Sequence, residues 1–223
     1  MHIEPELISP EKMLLAYATA AAAGGTAVKL AWDAVKERGP LSLLARSVAT
    51  TAAVFCFFEV MPHHAVGVSE VHLILGSTLL LVFGAAPAAI GLALGLLIQG
   101  LFFAPFDLPQ YFANVTTLLV PLFAIKLVAD RIIPAKTPYV DLNYGQAFAL
   151  SATYQGGVVV WVGFWALYGQ GFGAENLTAV ASFGAAYMLV VLVEPLIDLA
   201  VLAGAKLVRG LGKTGLVTPR LYA

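Results

Sequence analysis

Long apolar stretches dominate this chain and restrict it to one class of fold. Runs of roughly 20 residues, the length that crosses ~30 Å of hydrocarbon, cover about 13–32, 41–60, 113–133, 145–168 and 178–207. A further run over 71–103 is too long for one crossing at 1.5 Å per residue. Gly84, Pro87 and Gly91 punctuate it, and it divides near Ala85-Ala86 into spans of about 71–84 and 86–103. Backbone groups in lipid must bond within their own segment, so spans of this kind are helices. Charged residues make up only 11% of the 223, against ~25% in soluble domains. The expectation is an all-α integral membrane protein, one polytopic domain over 1–223. Its core is a bundle of seven transmembrane helices.

Charge placement orients the bundle. Lys29, Lys36, Arg38 and Arg46 surround the first loop, and Lys126, Arg131 and Lys136 surround the fifth. Lys206, Arg209, Lys213 and Arg220 follow the last span. Seven spans put all three groups on one side and leave Lys12 alone among twelve basic residues on the other. By the positive-inside rule the N-terminus is then outside and the C-terminus cytoplasmic. This describes a multi-pass protein of a bacterial or archaeal cytoplasmic membrane. The absence of a basic region before the first apolar run reads the N-terminus as mature rather than as a signal peptide. A net charge of -1 argues against nucleic acid, and a single cysteine, Cys56, excludes an intrachain disulfide.

The sharpest chemistry lies at the very start. A free Met1 amine, the His2 backbone nitrogen and the His2 imidazole can close fused chelate rings around one metal ion. A second imidazole completes a four-nitrogen plane, which suits Ni(II) or Cu(II). His72, opening an otherwise apolar span, is the candidate, because a histidine there is costly without a partner. The same topology puts His63 and His64 outside, either as metal-capture groups or as interfacial residues. Deeper in the bundle, Glu194 and Asp198 share a helical face, four residues apart. Lys126 approaches their level, and a structural ion pair of Lys126 with Glu194 and Asp198 is expected. Small residues four apart, such as Ala16/Ala20 and Ala49/Ala53, suit close helix packing. No Walker A motif, nucleophile motif or cofactor fingerprint is present, so the chain reads as neither an ATPase nor an enzyme.

Met1-His2-Ile3, the segment Gly67-Val68-Ser69-Glu70-Val71-His72-Leu73, and Gln99 followed by Phe102-Phe103 and Ala113-Asn114 resemble the CbiM/NikM proteins. Those are the substrate-capture (S) components of cobalt and nickel energy-coupling-factor transporters, and the resemblance covers nearly the whole chain. It implies a seven-span fold whose first helix delivers the start of the chain into the metal site. The implied ligands are the Met1 amine, the amide and imidazole of His2, and the His72 imidazole. Asn114 matches a supporting asparagine, and Ser69 and Gln99 belong to the surrounding shell. Three positions differ from the family pattern: Glu6 replaces a glycine, Thr117 a second asparagine, and Ala104-Pro105-Phe106-Asp107 a glycine-rich turn.

The resemblance implies capture of Ni(II) or Co(II) as substrate from the outer side, with no catalytic cofactor. It implies a membrane T subunit, cytoplasmic ATPase subunits and a small membrane accessory subunit as partners, within the lipid bilayer. The alternative is the same fold recruited as a non-transporting subunit of an unrelated membrane complex.

Overall fold

The structure, a computed structural model, describes Ile3 and residues 8–223. Helix α1 (Met13–Phe55) runs for 43 residues but is interrupted at Gly39, whose φ of 80° and ψ of 166° are not helical. Pro40 follows, with φ fixed by its ring and no N–H to donate. The Gly39-Pro40 pair therefore separates a first arm, 13–38, from a second, 40–55. A π-helical turn at Cys56–Val60 ends the second arm. A small antiparallel hairpin follows, β1 (His64–Val66) with β2 (Ser69–Val71). The rest is helical: α2 (Gly76–Phe83), α3 (Ala85–Phe102), α4 (Tyr111–Ile132), α5 (Tyr144–Gln170), α6 (Ala174–Met188) and α7 (Val190–Leu207).

Among the described residues, five helical stretches are long and apolar enough to cross a membrane: Pro10–Val60, Ala85–Phe102, Pro105–Ile132, Tyr144–Gln170 and Ala174–Leu207. Their outward faces match that environment, since Leu14, Val28 and Leu41 of α1 are 75%, 70% and 77% exposed. Apolar side chains in such numbers meet lipid rather than water.

Two expected spans take a different form. The stretch 71–84 is helical only over Gly76–Phe83, because Ser69–Val71 is a strand and Leu75 adopts a left-handed φ of 55°. The last stretch begins earlier, at Ala174, and tightens at Leu189, where the backbone makes i→i+3 bonds from Leu189 to Ala186 and from Leu192 to Leu189.

Close helix approach depends on α3. A Cβ placed on Gly91 would lie 2.4 Å from Thr50 Oγ1, and one on Gly95 would lie 2.5 Å from Val54 Cγ1. Two glycines four apart thus let the second arm of α1 lie directly against α3, as small residues do in membrane helices. The Thr50 hydroxyl seals the contact by donating to the Pro87 carbonyl at 2.7 Å.

The bundle interior holds a polar node on α7. Glu194 and Asp198 are both 0% exposed. Ser77 Oγ lies between them, 3.3 Å from Glu194 Oε1 and 2.7 Å from Asp198 Oδ2. Thr78 donates to Asp198 Oδ1, and Ser151 and Gln155 donate to Glu194 Oε2 at 2.8 and 2.5 Å. The expected pairing of Lys126 with these carboxylates is therefore corrected. Lys126 Nζ instead meets Asp130 Oδ2 at 2.6 Å, one turn along α4, with both side chains partly exposed. The long lysine stem carries its charge toward water, while neutral donors on α2 and α5 satisfy the two acids. An exposed i,i+4 pair of this kind adds only a few tenths of a kcal/mol, about 0.3–0.5.

Candidate metal centre

The site is built from the edge of the hairpin. Ile3 is fully buried and forms an isolated antiparallel bridge with Ser69, adding a residue of strand to the free edge of β2. Its backbone N–H donates to Asn114 Oδ1 at 2.9 Å. Asn114 sits in the first turn of α4 and is 1% exposed. A buried N–H without an acceptor costs ~1–3 kcal/mol, so this amide fixes where the third residue of the chain must lie. The hairpin is itself seated firmly. Its turn uses Gly67 at φ 61°, where a Cβ would fall 2.1 Å from the Ala179 carbonyl oxygen of α6. Only glycine fits both that φ and that approach.

His72 follows β2 directly and is 1% exposed. Its Nε2 lies 3.0 Å from Glu70 Oε2. A carboxylate accepts and does not donate, so this contact places the ring proton on Nε2 and makes Nδ1 the acceptor nitrogen. In this tautomer the ring presents Nδ1, and neutral imidazole is the form that ligates metals. The His63 ring stacks on it with centroids 5.0 Å apart and planes 14° apart, and Phe58 flanks it at 5.4 Å.

Gln99 acts one layer behind. Its Nε2 donates to the Phe58 carbonyl at 3.4 Å and to Glu59 Oε2 at 3.3 Å, holding the π turn that carries the Phe58 ring. Thr117 donates to the Asn114 carbonyl at 2.6 Å, so its hydroxyl serves its own helix rather than the site.

The structure thus brings Ser69 and Asn114 together at Ile3, and His63 against His72. His64 is exposed and stands opposite Val71 in the hairpin. Lys126, Glu194 and Asp198 belong to other contacts, as described above. Met1 and His2 lie outside the described residues. Sequence reasoning missed Glu70 and Ile3. Glu70 was detectable in principle, because residues two apart on a strand share a face and a carboxylate is the usual orienting partner of a ligating histidine. Ile3 offered no such signal beyond being apolar.

Among the described residues there is no group of three or more histidines, cysteines, aspartates or glutamates that could hold a metal ion. His72 supplies one nitrogen of the kind that suits cobalt, nickel, copper or zinc.

No curated protein and no solved structure matches the chain. Residues 2–209 match the family described as the cobalt uptake substrate-specific transmembrane region. That is a transport family rather than an enzyme family, and the match spans the hairpin, Asn114 and every apolar helix. The chain belongs to the CbiM family and is a multi-pass membrane component of cobalt uptake.

Proposed function

We propose that this chain is the substrate-capture subunit of an energy-coupling-factor transporter for Co(II) or Ni(II). It takes the ion from the outer side through the Met1 amine, the His2 amide and imidazole, and the His72 imidazole. The observation that carries this reading is the pinning of Ile3 between Asn114 and Ser69. Ile3 is the next residue after His2, and consecutive Cα atoms are ~3.8 Å apart. A free amine, a deprotonated amide and two imidazoles then converge on one ion. Such a set favours square-planar Ni(II), while the family points to cobalt as cargo. The T subunit, the ATPase subunits and the small accessory subunit follow from the resemblance.

The test moves the amine and nothing else. A chain with one residue added before Met1, its N-terminus verified by intact mass, is titrated with Co(II) and Ni(II) beside wild type and His72→Ala. Both variants are expected to lose at least ~100-fold in affinity, the scale of removing a ligand from a chelate. Equal affinity of the extended and native chains rules out the N-terminal site. No binding by wild type favours the recruited, non-transporting subunit.

The proposed topology has seven crossings with the N-terminus outside, the two arms of α1 counting separately and α2 with the segment before it forming the third. In a Cys56→Ala background, His63→Cys should react with an impermeant thiol reagent from outside, and Lys136→Cys only from the cytoplasm. Labelling of both from one side would reject this arrangement.

A further inference from the structure

A cleft of about 670 Å³ opens between the two arms of α1, the α2–α3 junction and α4. Its floor is the start of α3. The N–H groups of Ala85 and Ala86 have no acceptor among the described residues, and Gly84 provides no side-chain cap. An 18-residue helix thus turns two unsatisfied donors and the positive end of its dipole toward the cleft.

Arg46 lines the same cleft and is 1% exposed. Its Nε donates to the Ser42 carbonyl at 3.3 Å and its Nη1 to the Phe83 carbonyl at 2.8 Å. Its buried Nη2 has no hydrogen-bond partner among the described residues. Nη1 lies 3.4 Å from where a Cβ on Gly84 would stand, so the guanidinium adjoins the uncapped helix end. The Glu37 carboxylate in the same cleft acts on this guanidinium through its charge but makes no hydrogen bond with it among the described residues, so Nη2 still calls for an acceptor. Helix terminus and arginine both call for negative oxygen at one place.

The walls say what kind of molecule carries that oxygen. Lys29 adds positive charge, Lys126 reaches the cleft already paired with Asp130, and Asp33 and Glu37 on the first arm of α1 are opposed to both. This mixed lining suits a singly charged phosphodiester rather than a polyanion. Leu30, Phe123 and Leu127 form an apolar side, and Leu127 is 60% exposed on a face that meets lipid. An inorganic anion would leave that side bare, whereas an acyl chain covers it.

We propose that this cleft binds the phosphodiester headgroup of a membrane phospholipid, with the phosphate against Arg46 and the N-terminus of α3. The acyl chain lies along the apolar side. The site is separate from the hairpin and does not depend on the metal reading.

Native mass spectrometry of the delipidated full chain tests it, using phosphatidylglycerol, a diacylglycerol with the same chains, and glycerol 3-phosphate. One phosphatidylglycerol should remain bound about tenfold more tightly than the diacylglycerol, since each charge-assisted contact is worth ~1.5–3 kcal/mol. Glycerol 3-phosphate should not displace it. Arg46→Gln and Ala85→Pro should each weaken retention about fivefold to tenfold. The second variant deletes one N–H at a position where proline suits a helix, so it should melt like wild type. Equal retention of phosphatidylglycerol and diacylglycerol overturns the proposal, as do variants that bind like wild type. Displacement by glycerol 3-phosphate overturns the lipid assignment. A partner chain cross-linked through Lys29 in the lipid's place overturns it as well.

Discussion

Asn114→Leu is expected to weaken Co(II) and Ni(II) binding about 10–100-fold, although Asn114 is not among the proposed ligands. Its Oδ1 is the acceptor for the Ile3 N–H, and that bond, with the Ile3–Ser69 bridge, sets Ile3 against β2. Leucine keeps the volume and removes the acceptor, which leaves a buried N–H unsatisfied and lets the segment shift. Ligands displaced by an ångström lose the geometry a planar site requires. Thr117→Val is the matched control, because its hydroxyl bonds only within α4 and should leave affinity unchanged. Isothermal titration of both variants decides the matter. Wild-type affinity in Asn114→Leu would mean that Ile3 does not position the site.

Ser77→Ala is expected to destabilise the fold by roughly 1–3 kcal/mol, the cost of leaving buried acceptors unsatisfied. One hydroxyl serves both Glu194 and Asp198, and neither carboxylate reaches water. Glu194→Gln should cost less, because the amide preserves most of the shape and keeps one acceptor oxygen. The double variant should be less damaged than the two single losses added together, since the residues share one network. Thermal unfolding in detergent reads all three. Additive losses, or a Ser77→Ala chain as stable as wild type, would show that the node does not act as a unit.

The helical membrane class was legible because hydrocarbon thickness leaves so few options for an apolar run. The hairpin was not. Its strands are three residues each, too short for any alternation to register, and they precede α2 without a polar break. Reading 71–84 as one span followed hydropathy where local geometry, the left-handed Leu75, decided otherwise. The break at Gly39-Pro40 falls at the end of the expected first loop, between the spans 13–32 and 41–60, though it occupies far less chain than that loop. Asn114 and Ser69 were placed near the site by resemblance, and their contacts with Ile3 supply the physical reason. The ion pair of Lys126 with Glu194 and Asp198 failed because equal depth along two helices says nothing about which side chains face one another. Asp130, a turn away from Lys126, was the nearer and wetter partner.

The bond between Ile3 and Asn114 also sets an order of events during synthesis. The two residues are 111 positions apart in the chain, so at 5–20 residues per second the ribosome needs roughly 6–20 s after making one to make the other. For that interval the Ile3 N–H has no Asn114 carbonyl to meet, and the edge of β2 forms only partway through. Ile3 is then among the last residues to settle, and the acceptor on α4 completes its place.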